Sequence, residues 1–147
     1  MSGERGEGDE RGESTVSGEL DLDVLLKTLT AQLAEGTYVF ATMADNAVPA
    51  HLAPRMVFRE TEGTTLILLK SEAAAAGLDY EFPCRMITLN VHSSLEAVGF
   101  IARIATELAK HGMGVNPVSG FYHDHLFVPE GREQDALQIL AKLADTA

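Results

Sequence analysis

The sequence predicts an α+β protein of the ferredoxin-like, split βαβ type, with antiparallel sheets and helices on one face. Three observations predict it. Residues 84–129 read as strand, polar loop, amphipathic helix, strand and strand. A hairpin signal stands in the first half. The two halves are alike in size and element content, although no residue-level repeat joins them. Counting gives about three strands per half, where a split βαβ unit has four. One half is therefore expected to borrow a strand from the other or from another chain.

Met1–Gly18 is almost all Gly, Glu, Arg, Ser and Asp. It has too little apolar surface to offset ordering entropy and is expected to be a disordered acidic tail. Residues 19–79 then form the expected first domain and residues 80–147 the second. Leu22, Leu25, Leu26, Leu29 and Leu33 fall on a helical stripe, with Gly36 placed as its C-terminal cap. Tyr38–Met43 is rich in β-formers, and Ala44–Pro54 is loop-like with two prolines. Arg55–Glu60 and Thr65–Lys70 predict strands joined by a turn at Glu62-Gly63. Ser71 is expected to cap an alanine-rich helix stopped by Gly77, and Leu78–Pro83 reads as a connector. In the second half a strand spans Arg85–Val91, and Gly99 lies just inside a helix ending near Gly112. Two strands joined near Ser119-Gly120 follow, then a helix over Gln134–Leu143.

Composition bounds the function. The 147 residues are 46% apolar and 22% charged, with a formal net charge of −11. That charge argues against nucleic acid and anionic membrane as partners, because both call for Lys/Arg clusters. No apolar run reaches the roughly 18 residues of a membrane span, and no secretory apolar region opens the chain. With the single cysteine, Cys84, this points to the cytoplasm. Neither phosphate-loop nor dinucleotide fingerprints occur, and no cofactor is expected. Cys84 and His92 flank one short strand and form no triad, so no enzyme is expected. His123 and His125 would share a strand face with His92 nearby, but the spacing matches no recognised metal motif. The site residues expected are thus catalytic none, metal none.

The candidate site is the loop Ser93, Ser94, Leu95, Glu96, Ala97, Val98 and Gly99. A helix start carries free N–H groups suited to an anionic or zwitterionic ligand. The plainer reading is that Ser93 or Ser94 caps the helix, that Gly99 serves helix–sheet packing and that Asn116 is a turn residue. Capping and binding are compatible.

Ile87-Thr88-Leu89, Ser93–Gly99, Leu108–Asn116 and Phe121–Pro129 together resemble an ACT domain, the small ligand-binding module of amino-acid-regulated enzymes. The stretches HSSLEAVG and YHDHLFVP closely match a bacterial family of small tandem ACT-like proteins. These are similar in turn to the aspartate kinase regulatory region and to the animal cytosolic arginine sensor. The ACT pattern usually has Pro-Gly in the first loop, where Val98-Gly99 stands here. The resemblance implies strand order 4-1-3-2, with the loop and Tyr122–Asp124 at one end of the unit and Asn116 at the other. It also implies a homodimer or an unidentified protein partner, and an interface pocket for an amino acid. Ser93–Gly99 with Glu96 or Asp124 would serve that pocket from one unit, and Asn116 from a neighbour.

Overall fold

The computed structural model describes residues 19–44 and 46–147. The expected tail, Met1–Gly18, lies outside them.

Helix α1, Leu22–Lys27, opens on Asp21, whose carboxylate accepts from the N–H groups of Asp23 and Val24 at 2.9 and 3.3 Å. The leucine stripe predicts a longer helix, yet it stops at Thr28. β-Branched Thr28 and Thr30 weaken the helix, and Thr28 Oγ1 donates back to the Val24 carbonyl at 2.6 Å. Leu33 therefore belongs to strand β1, Ala31–Leu33. Gly36 caps no helix: it lies between β1 and β2, Tyr38–Met43. Its φ is +93°, and an added Cβ would stand 2.8 Å from Leu69 Cδ2, so only glycine fits.

The expected hairpin forms as β3, Met56–Arg59, and β4, Thr64–Leu69. The Glu60 N–H donates to the Gly63 carbonyl at 2.8 Å across the turn. Helix α2, Lys70–Ala75, starts before Ser71, which therefore does not cap it. The expected connector Leu78–Pro83 is mostly strand: β5 runs Asp79–Leu89. Its first residues carry charges and Pro83, which hide a strand from composition, but pairing with β2 overrides that local preference. Helix α3, Phe100–Ala109, and strands β6, Pro117–Ser119, and β7, Asp124–Pro129, follow. Helix α4 spans Glu133–Thr146.

The strand order is β3-β4-β2-β5-β7-β6, with β1 also on β5. The first part of β5 pairs antiparallel with β2; the second part, from Cys84, pairs with β7 on one side and β1 on the other. Each half thus gains its fourth strand from within the chain. The N-terminal segment supplies β1 to the second half, and the start of β5 completes the first. One sheet runs through both, as an alternative to borrowing from another chain, and the expected boundary at residues 79/80 falls at the start of β5.

Helices cover one face. Leu25, Leu26, Ile87, Leu89, Ile104, Leu108, Leu126, Val128, Leu140 and Leu143 form one core there, and Val39, Ala41, Leu66, Leu68 and Ala73 another. The helix-free face curls upon itself. Phe127 on β7 reaches past β5 to Tyr38 and Phe40 on β2, with ring centroids 6.2 and 5.7 Å apart. Tyr38, Ile67, Cys84, Met86 and Phe127 are buried together, so this third core joins the two halves. Cys84 is fully buried and its Sγ donates to the Tyr38 carbonyl at 3.3 Å. Burial, with Glu130 adding to it, pushes the thiol up to about 12.

Candidate functional site

The register of β5 and β7 sets Leu89, the last residue of one, opposite Asp124, the first of the other. The chain leaving β5 therefore passes Asp124 at once. Ser93 Oγ donates to Asp124 Oδ2 at 2.8 Å. The two residues are only 7% and 5% exposed. Among the described residues no Lys, Arg or His forms an ion pair with Asp124. A carboxylate taken from water with one hydroxyl donor and no counter-charge is costly, so it marks a place where a cation would be stabilised.

The following loop is shaped by backbone bonds. The Glu19 N–H donates to the His92 carbonyl at 2.7 Å, and the Ser94 N–H donates to the Glu19 carbonyl at 2.9 Å. The N-terminal segment thus straps the loop that carries Ser93. Ser94 Oγ accepts from the Glu96 N–H at 3.0 Å, and its carbonyl accepts from Ala97 at 3.0 Å. Neither serine caps α3. Gly99 is the residue before the helix, not one inside it, and its φ of +90° turns the chain into α3. Among the described residues no side chain caps α3, so its first-turn N–H groups have no side-chain acceptor there. Glu96 is exposed and Ala97 half-buried, while Leu95 and Val98 are 65% and 83% exposed.

Sequence reasoning placed Tyr122 at this end of the unit but took neither it nor Phe121 as a site residue. Tyr122 and Phe121 are largely exposed, stand edge-to-face at 5.0 Å, and Tyr122 lies 5.8 Å from the His92 ring. His92 Nε2 is buried without a hydrogen-bond partner among the described residues. Both aromatics stand beside the expected Asp124 in sequence, so adjacency was the available signal. The Glu19 strap had none, because it depends on a contact distant in sequence.

Asn116 is not brought to the loop. Its carbonyl accepts from Phe127 at 3.3 Å, toward the far end of β7 from Asp124. Its φ is +52°, the left-handed conformation that Asn tolerates. His123 and His125 have ring centroids 6.5 Å apart, and His125 Nδ1 is 3.0 Å from Thr88 Oγ1. Burial first, then neighbouring His123 and Arg55, holds His125 below its usual pKa, with Asp124 opposing. Among the described residues no group of three or more His, Cys, Asp or Glu is placed to hold a metal ion.

The first half has a counterpart to Asp124. Met43 ends β2 opposite Thr64, as Leu89 ends β5 opposite Asp124, and β4 repeats the burial alternation of β7. Thr64 is fully buried, and its Oγ1 has no hydrogen-bond partner among the described residues. Among the described residues no helix lies between β2 and β3. No described helix is long and apolar enough to cross a membrane.

Two linked α+β units on one curled sheet, the second with a helix between its first two strands and a buried carboxylate at the start of its third, define a tandem α+β module. The chain belongs to the ACT domain family. ACT domain models match residues 17–85 and 81–142. A solved Vibrio cholerae protein of unknown function, described as a possible transport protein, is 44% identical; the match covers 84% of this chain and 95% of that one, with a TM-score of 0.75. An Agrobacterium tumefaciens protein is similar in fold at 18% identity, covering 79% and 89% of the two chains, with a TM-score of 0.68. The regulatory subunit of aspartate kinase from Thermus flavus matches at 8% identity over 78% of this chain and 96% of that one, with a TM-score of 0.57. No curated protein sequence matches.

Proposed function

We propose that this chain is a non-enzymatic, cytoplasmic regulatory sensor that binds an amino acid or related metabolite in its second unit, residues 80–147. The observation that carries the reading is the buried Asp124 carboxylate, held by Ser93 and without a counter-charge among the described residues. Asp124 takes the ligand's ammonium group, and the uncapped start of α3 after Gly99 takes its carboxylate. Ser94, Leu95, Glu96, Ala97 and Val98 border the ligand. Asn116 joins from a second copy in a homodimer, since within one chain it lies at the other end of the unit. The ligand-free alternative is an assembly module that engages a protein partner.

Thermal-shift screening with the proteinogenic amino acids tests this, because a ligand at a hundredfold excess over Kd stabilises by about 2.7 kcal/mol. Calorimetry on Asp124→Asn should then show affinity lower by about one to two decades. Equal affinity in the variant removes Asp124 from the site. Absence of any shift at millimolar concentration favours the assembly module.

A further inference from the structure

The chemistry around Asp124 also speaks to the rest of the ligand. Large apolar side chains normally leave water, and an exposed group of them marks a binding surface. Five of the exposed ones sit on segments meeting at this end of the second unit: Leu20, Leu95, Val98, Phe121 and Tyr122. Leu95 and Val98 belong to the candidate loop. Phe121 and Tyr122 directly precede β7, and Leu20 follows Glu19, whose backbone bonds bracket Ser93. Tyr122 packs on the Phe121 and His92 rings, with centroids 5.0 and 5.8 Å away, yet remains 65% exposed. A pre-set ring with an open face gives up little freedom when it packs on a guest. On the function proposed above, the two charged groups of an amino acid go to Asp124 and the start of α3, so neither accounts for this apolar rim. Glu96, the one acid on the loop, is exposed and argues against an anionic side chain in the ligand.

We propose that the ligand is an amino acid with a large apolar or aromatic side chain, packed between Tyr122 and the Leu95–Val98 lip. This rests on the reading of Asp124 as the ammonium receptor. The test is calorimetric titration of the full chain with L-phenylalanine, L-leucine, glycine, L-serine and L-arginine. Phenylalanine or leucine should bind at least about tenfold more tightly than glycine, the scale of burying one large side chain. Tyr122→Ala and Leu95→Ser should erase that preference, each with an unchanged melting temperature. Binding of glycine, serine or arginine that needs Asp124 but shows no apolar preference would overturn this inference and leave the Asp124 reading standing. Failure of phenylalanine and leucine to bind would overturn this inference, while the Asp124 reading falls only if the full amino-acid screen shows no stabilisation. Light scattering adds a further outcome. If Val98→Ser or Tyr122→Ala dissociates an oligomer without altering ligand preference, the rim belongs to a second copy and the inference falls.

Discussion

The two units share a strand plan and differ at one end. In each, the last residue of the first strand faces the first residue of the third: Met43 faces Thr64, and Leu89 faces Asp124. In the first unit residues 44–55 connect these strands to β3 without a described helix, and a neutral hydroxyl fills the buried position. In the second unit a strapped loop leads into α3, and a carboxylate fills that position. The first unit thus contributes scaffold: it completes the sheet and one side of the shared core. Under the function proposed above, the second supplies both the anion and the cation receptor. A shared fold therefore does not imply a shared site, and one ligand per chain is the expected stoichiometry.

The largest effect comes from breaking the separation itself. Phe127 lies in the second unit but packs edge-on against Tyr38 and Phe40 of the first. Phe127→Ala should cost about 3–5 kcal/mol, as for other buried aromatics. Because the core is common property, both units should lose stability in one transition. Calorimetry showing one unit melting unchanged would mean that the halves are energetically independent.

Exchanging the equivalent residues sharpens the comparison. Thr64→Asp places a charge at a fully buried position. With no receptor loop to serve it, that charge should destabilise by about 3 kcal/mol. Asp124→Thr removes a costly buried charge and leaves Ser93 a hydroxyl partner, so its stability should stay within about 1 kcal/mol of the parent. Denaturant titration of the two variants measures the difference. Equal losses would show that Asp124 is a structural residue.

The strand plan was legible because alternation and turn signals act locally. Tyr38–Met43, the hairpin at Glu62-Gly63 and the strand–loop–helix run after Cys84 all announce themselves in neighbouring residues. The exchanged strands do not. Ala31–Leu33 continues a leucine stripe of helical period, and Asp79–Pro83 is charged and ends in proline. Both become strands only through β5 pairing, which no window of sequence contains. The site divides in the same way. Ser93 and Asp124 were legible as polar residues at a strand end and a strand start. Their burial and direct bond were not, and neither was Glu19, which reaches the loop across more than seventy residues.

The helix-free face adds a pH dependence to the second unit. His125 is held below its usual pKa first by burial, then by His123 and Arg55, with Asp124 opposing. The unfolded chain therefore binds a proton more readily than the folded one. Stability is full above the unfolded value of 6.5 and falls as pH drops from there toward the folded pKa. Melting temperatures should decline more steeply below pH 6.5 in the parent than in His125→Gln. Parallel curves would show that His125 does not couple to folding. Glu133 also titrates low, chiefly through hydrogen bonds from backbone N–H groups, but its contribution is lost only as pH falls below 4.5, so the two windows separate.

The smallest expected effect concerns the strap. Glu19 bonds to His92 and Ser94, whereas Asp21 begins the α1 cap, so a truncation can end between the two functions. Removal of residues 1–18 keeps both strap bonds and should leave the melting temperature within about a degree or two. Removal of residues 1–20 takes both bonds away, while Leu20, 53% exposed, contributes little packing. Two backbone bonds at the edge of a loop are worth about 1 kcal/mol each at most, so a drop of a few degrees is expected. The sharper readout is hydrogen exchange. The Ser94 amide, which donates to Glu19, should exchange faster in the longer truncation, while amides of β5 and β7 stay protected. Because Ser93 is held between Glu19's partners and positions Asp124, the longer truncation should also weaken amino-acid binding, and the shorter should not. If both truncations leave Ser94 exchange and binding unchanged, the loop is ordered by α3 and β7 alone, and the first segment of the chain contributes only its strand to the second unit.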